Sequence, residues 1–199
     1  MSDLKRITKR FMLALAFIPA LPLIVLSKIG SVCGSDDFFS ACGCFLALLP
    51  GKTGSYLRLA YYKGTLTSIS PDVFIGFGSY FSKRESVVGK YVNIGSFCIL
   101  GLVTLGDRVL VASRVSIPSG LRQHSRRYDM GNPSEELTYD RVTIGSDCWI
   151  GEGAIVMADL GERCIVSAGS VITRAMPPGR LIAGNPSRVL PETPVGTGT

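Results

Sequence analysis

VTIGSDCWIGEGAIVMADLGERCIVSAGSVIT, residues 142–173, places Ile144, Ile150 and Val156, then Leu160, Val166 and Ile172, six residues apart within each triplet. Period six fits neither the 3.6-residue turn of a helix nor the two-residue alternation of a strand. It is the mark of a solenoid in which each hexad supplies one short strand and one corner. Upstream the same series reads Ile69, Ile75, Phe81 and Val87, then Val88, Ile94 and Leu100, then Leu105, Val111 and Ile117. Three hexads make one triangular coil, and the chain holds about five coils.

Two residues before each periodic position stands a small or medium residue, such as Val73, Ser79, Val92, Cys98, Val109, Val115, Val142, Cys148, Ala154, Ala158, Cys164 or Ser170. Strand alternation puts both positions on one face, so large and small residues tile the inside of a narrow tube. Glycine often follows the periodic residue, as at Gly76, Gly95, Gly106, Gly145 and Gly151. A sharp corner that needs unusual φ/ψ would explain it. The register slips by one residue between Val87 and Val88 and breaks between Ile117 and Ile144. That break, residues 118–141, is polar and charged and contains the only histidine, His124. A solenoid can extrude such an insertion from a corner without losing its core, and long loops in compact domains are usually functional or disordered.

The order of CWIG (148–151), SAGSVITR (167–174) and AGNPSRV (183–189) resembles the hexapeptide-repeat acyltransferases. Residues 142–190 are similar to the C-terminal half of maltose and galactoside acetyltransferases and of polysaccharide O-acetyltransferases. The resemblance covers about residues 69–190. It implies a left-handed parallel β-helix, a homotrimer, and acetyl-CoA lying in a groove between neighbouring subunits. It also implies a loop histidine that deprotonates the acceptor hydroxyl, which here is His124. The sugar-acetyltransferase pattern at that place is Gly-His-Pro, whereas this chain reads Leu-Arg-Gln-His-Ser. Carried over residue by residue, the coenzyme contacts fall on Trp149, Ala168, Gly169, Thr173, Arg174 and Arg188, with Arg180 a further phosphate partner.

An alcohol is a poor nucleophile toward a thioester. A neutral imidazole, with an unperturbed pKa of about 6.5, can take its proton as attack occurs. An acidic neighbour would fix the tautomer, and Asp129, Glu135, Glu136 and Asp140 all lie in the insertion. Cys98, Cys148 and Cys164 fall on inward positions, where a thiol packs as a small inert hydrophobe. No cysteine pair has the two-residue spacing of a zinc site, so no metal is expected. The metal-dependent carbonic anhydrases built on this solenoid need three histidines, and this chain has one.

The first fifty residues are of another kind. Lys5, Arg6, Lys9 and Arg10 precede the apolar stretch 11–29, and a second apolar stretch runs from Phe38 to Pro50. The first stretch gives about 28 Å of helix, barely the thickness of a hydrocarbon core, and Pro19 and Pro22 interrupt it. A single span with a cytoplasmic basic end would put the β-helix on the far side from acetyl-CoA. The expectation is a monotopic anchor on the cytoplasmic face of the plasma membrane, with the basic residues on anionic headgroups. A helical cap over the open end of the β-helix, or a trimer contact, is the alternative. Residues 51–68 read as a linker helix, in which Tyr61, Tyr62 and Lys63 suit an interfacial or subunit-facing position.

The 199 residues thus divide into a membrane-associating segment 1–50, a linker helix 51–68, a β-helix 69–175 and a C-terminal extension with a flexible tail 176–199. The fold class is all-β with an N-terminal hydrophobic helical segment. The net charge of +6 has no basic-aromatic stripe of the nucleic-acid kind. The expected activity is acetyl transfer from acetyl-CoA to a hydroxyl of a sugar or lipid-linked saccharide in surface-glycan synthesis. N-acetylation of an amino sugar nucleotide, or a non-catalytic trimeric scaffold, are the alternatives.

Overall fold

The periodic residues fall on the inside of three parallel sheets. A computed structural model describes residues 3–120 and 139–191. Strands are numbered in chain order. Sheet A holds β1 (Ser68–Ile69), β4 (Val87–Val88), β7 (Val103–Leu105) and β10 (Val142–Ile144). Sheet B holds β2 (Phe74–Ile75), β5 (Asn93–Ile94), β8 (Leu110–Val111), β11 (Trp149–Ile150), β13 (Ile165–Val166), β15 (Leu181–Ala183) and β16 (Arg188–Val189). Sheet C holds β3 (Tyr80–Phe81), β6 (Ile99–Leu100), β9 (Ser116–Ile117), β12 (Ile155–Val156) and β14 (Val171–Ile172). Each coil visits A, B and C in turn, and bridges through Leu160 and Met176 continue sheet A. Only β16 runs antiparallel, against β15.

Each two-residue strand of the parallel coils points one side chain outward and buries the other, whereas both residues of β16 are exposed. The inward column includes Ile75, Ile94, Leu100, Ile117, Ile144, Ile150 and Val156, all with no exposed surface. Burying one such side chain contributes roughly 1.5–3 kcal/mol, an upper figure because unfolded chains already bury some surface. The smaller partners two residues earlier are buried as well, except Ala158. The inward thiols of Cys98, Cys148 and Cys164 donate to the carbonyls of Ala112, Gly161 and Pro177 in the next coil.

Two details of the repeat differ from the sequence reading. Val88, not Val87, is the inward residue of β4, pairing with Ile69 below and Leu105 above. The extra residue therefore sits in the corner before β4. The glycines after the inward residues do not hold the unusual backbone angles. Positive φ falls two residues later, at Tyr91, Phe97, Arg108, Arg114, Asp147 and Arg163, and at Gly78, Gly153 and Gly169. The glycines are required by coil spacing instead. A Cβ on Gly95 would lie 2.6 Å from the carbonyl carbon of Ala112, and one on Gly106 would lie 2.6 Å from the nitrogen of Ser146. Adjacent coils are held at the strand spacing of about 4.8 Å, which leaves no room for a methyl group between these backbones.

The A-to-B and B-to-C steps take six residues in every coil, whereas the C-to-A steps vary. Phe81 to Val88 takes seven, Leu100 to Leu105 five, and Val156 to Leu160 and Ile172 to Met176 four each. All the irregularity of the solenoid, including the long insertion, is thus collected on one edge.

Three helices close the first coil: α1 (Asp3–Val32), α2 (Asp37–Ala47) and α3 (Gly51–Thr65). An open β-helix end presents unpaired backbone groups, and α3 answers them sheet by sheet. Lys63 Nζ donates to Ile69 O at 3.1 Å in sheet A. Arg58 Nη2 donates to Ile75 O at 3.1 Å in sheet B. Phe81 N donates to the Tyr62 hydroxyl at 3.0 Å in sheet C. Tyr61 and Tyr62 are therefore fully buried, not interfacial; their rings pack with Phe39 of α2 and Phe81 of β3. Burial pushes the Tyr61 hydroxyl up to about 12.

Pro19 and Pro22 do not interrupt α1, which runs through both. One face of α1, made of Leu13, Ala16, Ala20, Ile24 and Ser27, is buried against α3 and α2 on either side of the prolines. Tertiary packing of that face offsets the backbone bonds that proline removes. The opposite face presents Ile7, Phe11, Leu15, Ile18, Leu21, Val25, Ile29 and Val32 to solvent. Ile7–Val32 is long and apolar enough to cross a membrane.

Candidate functional site

The irregular C/A edge is where chemistry-bearing residues gather. The insertion leaves the solid at Ser119–Gly120 and returns at Asp140–Arg141. Asp140 N donates to Ser119 O at 3.0 Å, which pins the two roots together. Ser119 Oγ also accepts from Leu102 N at 2.8 Å in the coil below. On the return side, Arg141 reaches Glu85 O at 2.8 Å and Thr104 Oγ1 at 3.2 Å. Lys83 stands 3.6 Å over the ring of Tyr139. These contacts span several coils and make a firm base for whatever the insertion carries. His124, with Asp129, Glu135 and Glu136, lies outside the described residues; of the four acidic candidates only Asp140 is described.

Beside the roots opens a groove of about 500 Å³, lined by Gly120, Asp140, Arg141, Val142, Met157, Ala158, Asp159 and Ala175. The four-residue steps from Val156 to Leu160 and from Ile172 to Met176 form its far wall. They cut the corner short just above the insertion. Asp159 Oδ1 is held by Thr143 N at 2.7 Å. Arg141, Asp159 and this groove were missed by sequence reasoning. The signal was present in the shortened steps, which set this edge apart from the other two.

Thr173 and Arg174 immediately precede Ala175 of that groove and are exposed. Ala168 and Gly169 occupy the B/C edge of the same coil, both exposed, with Gly169 at φ +67° and its N–H on Glu152 O at 2.8 Å. The turn between β15 and β16 folds over that edge: Val171 N donates to Gly184 O at 3.0 Å and Ser187 N to Val171 O at 3.2 Å. AGNPSR is thereby brought against SAGSV, and Arg188 stands exposed beside it, paired with Ala183. Arg180 is exposed just before β15. Trp149 points outward from sheet B, 51% exposed, between Leu110 and Ile165 in neighbouring coils. Within one chain these residues spread across sheet B, the B/C edge and the C/A edge. They do not converge on one point.

The inward thiols of Cys98 and Cys148 are poor nucleophiles. Burial pushes the Cys148 thiol up to about 11, and burial also raises Cys98. Among the described residues no cluster of three or more His, Cys, Asp or Glu side chains is placed to hold a metal.

Hexads stacked around three sheets build a left-handed parallel β-helix. Among such proteins the chain is similar to the sugar O-acetyltransferases. The family described as the hexapeptide repeat of succinyl-transferase matches residues 141–174. Galactoside O-acetyltransferase of Escherichia coli is 27% identical over 134 residues, 62% of this chain and 60% of that protein. The putative lipopolysaccharide biosynthesis O-acetyl transferase WbbJ of the same species is 32% identical over 123 residues, 58% of this chain and 61% of that protein. The chain thus spans about three fifths of the length of these curated relatives. A galactoside acetyltransferase solved in complex with coenzyme A shares the fold, with TM-score 0.62 and 19% identity, covering 90% of this chain and 82% of that one.

Proposed function

We propose that this protein transfers an acetyl group from acetyl-CoA to a saccharide hydroxyl, working at a membrane surface. One observation carries the reading. The roots of the histidine-bearing insertion and the exposed Thr173–Arg174 pair share the C/A edge, on either side of one groove. In this reading the neutral imidazole of His124 takes the acceptor proton as the hydroxyl oxygen attacks the thioester carbonyl. The tetrahedral intermediate then collapses, the C–S bond breaks, and the departing thiolate takes the proton from the imidazolium. Exposed backbone at Ala168–Gly169 bonds the pantetheine arm, and Thr173 adds a hydroxyl. Arg174 and Arg188 meet the coenzyme phosphates, since guanidinium matches phosphate geometry.

The spread of these residues over one face and two edges of the prism fits a site shared between copies of the chain in a trimer. Sheets B and C support that assembly. Their outer faces carry columns of exposed or half-exposed apolar residues, Phe74, Leu110, Trp149 and Ile165 on one and Tyr80, Ile99 and Ile155 on the other. Membrane attachment rests on the outer face of α1, an apolar stripe about 38 Å long from Ile7 to Val32. The inner face of α1 lies on α3 and α2, which themselves seat on the first coil. A helix clamped lengthwise in this way lies along a membrane more readily than across it, which supports a monotopic protein; the cytoplasmic face in this reading follows from the acetyl-CoA donor.

Calorimetric titration of the detergent-purified protein with acetyl-CoA tests the donor site without knowledge of the acceptor. Saturable micromolar binding, weakened by Arg188→Ala and unchanged by His124→Ala, is expected. A well-folded protein that binds no acetyl-CoA would remove the proposal.

A further inference from the structure

Between α1, α3 and the first coil lies a cavity of about 210 Å³ lined by Lys9, Lys52, Ser55, Tyr56, Leu59, Val73 and Phe74. It adjoins a second cavity of about 180 Å³ lined by Met12, Leu15, Ala16, Pro19, Thr53, Tyr56 and Leu57. Tyr56 lines both, so the cleft beside α1 has a cationic part and an apolar part that meet at this side chain. Two observations say what fits there. First, among the described residues neither Lys9 nor Lys52 has a carboxylate within ion-pair distance. Lys9 is half-buried, and burial pushes its ammonium below the usual value, opposed in part by Asp72. A partly desolvated cation gains most from an anion brought to it. Second, Met12 and Leu15 line the apolar end and also lie on the exposed apolar side of α1, so the cleft opens toward the proposed membrane surface.

We infer that this cleft binds a single anionic membrane lipid, its phosphoryl headgroup between Lys9 and Lys52 and the start of its chain between α1 and α3. The inference rests on the monotopic reading above but not on the transfer reaction. In this reading Tyr56, which lines both parts, donates its hydroxyl to a phosphoryl oxygen. The groove from Met12 to Pro19 accommodates about 10 Å of chain along α1. A bound lipid would also complete the packing of α1 on α3 beside the first coil. The helical cap is then a lipid-recognising element and not merely a greasy anchor.

The test is calorimetric titration of the full-length, detergent-purified protein with short-chain phosphatidylglycerol below its micelle concentration. Parallel titrations use phosphatidylcholine of the same chain length and inorganic phosphate. Saturable one-to-one binding of phosphatidylglycerol is expected, with much weaker binding of both comparators. At about fivefold per lysine, Lys9→Gln with Lys52→Gln weakens it roughly 25-fold. Leu15→Ser should weaken phosphatidylglycerol and leave phosphate unchanged. The melting temperature and acetyl-CoA affinity of each variant report whether the fold and the donor site are intact. Equal binding of phosphatidylcholine would mean that the headgroup is not recognised. Phosphate binding as tightly as the lipid would mean a free-anion site. Indifference to the double lysine change in a folded protein would also overturn the inference. Loss of acetyl-CoA binding in the wild type would count against the proposed function and leave this one standing.

Discussion

Arg58 is fully buried on α3 and has no carboxylate partner among the described residues. Its guanidinium instead donates to Leu46 O at 3.0 Å, Leu49 O at 2.8 Å and Ile75 O at 3.1 and 3.3 Å. Leu46 lies in the last turn of α2 and Leu49 two residues beyond its end, where the negative end of the helix dipole favours a cation. The third belongs to the open first coil. One side chain therefore joins α2, α3 and the β-helix. Arg58→Met keeps an apolar stem and leaves Leu49 O and Ile75 O unpaired, while Leu46 O keeps the N–H of Leu49 at 3.2 Å. At about 1–3 kcal/mol for each of the two unpaired acceptors the gross loss is about 2–6 kcal/mol. Removing a buried cation recovers part of this, so a net loss of about 2–4 kcal/mol is expected. For a chain of this size that lowers the melting temperature by about 5–15 °C. Circular dichroism melts of the detergent-purified protein measure it, with Arg58→Lys falling in between. Hydrogen exchange should localise the damage, with faster exchange at Phe81 N, which bonds to neighbouring Tyr62. A melting temperature within about 2 °C of wild type for Arg58→Met would refute the claim that this network holds the cap to the coil.

The two glycine roles separate by substitution. Gly95→Ala forces a methyl group against the backbone of the next coil and should cost about 3 kcal/mol or more. Gly153→Ala meets open space at φ +68° and should cost about 1–2 kcal/mol, which denaturant melts will resolve. Stability should fall as pH rises above about 9. The unfolded thiol and phenol lose their protons near 9 and 10, whereas folded Cys148 and Tyr61 hold theirs to about 11 and about 12. Between those values the unfolded state binds fewer protons, so alkaline pH favours it; melting temperatures at pH 8, 9.5 and 10.5 check the sign. If His124 is the general base, His124→Ala lowers kcat by about 10²–10⁴ and leaves acetyl-CoA affinity intact. Wild-type kcat should then decline below about pH 6.5.

Much of the β-helix could be read from spacing because the solenoid repeats one local rule. Each inward aliphatic, each small partner such as Cys98 or Cys148, and the outward Trp149 follow from strand alternation alone. The reason for the glycines did not, since it depends on the distance to a coil that lies 15 to 40 residues further on. Nor did the fate of Tyr61 and Tyr62. Locally they look like surface aromatics, and only the folded cap gives their hydroxyls partners, Phe39 O of α2 for Tyr61 and Phe81 N of the first coil for Tyr62. Pro19 and Pro22 misled for a related reason: a local helix breaker was overruled by packing on α3. At the candidate site, SAGSVITR and AGNPSR were visible as motifs, but the turn that folds one over the other was not. The C/A groove was hidden in the four-residue steps, which look like noise until the coils are stacked.

The central claim is acetyl transfer from acetyl-CoA that depends on the insertion histidine. The most direct measurement supplies radiolabelled acetyl-CoA to purified protein with a lipid extract of the host membrane, and follows label into the extract. The account predicts alkali-labile label in a glycan-bearing lipid fraction, abolished by His124→Ala and sharply reduced by Arg188→Ala. Equal labelling by wild type and His124→Ala, or no labelling by a protein that binds acetyl-CoA and the extract, would contradict it.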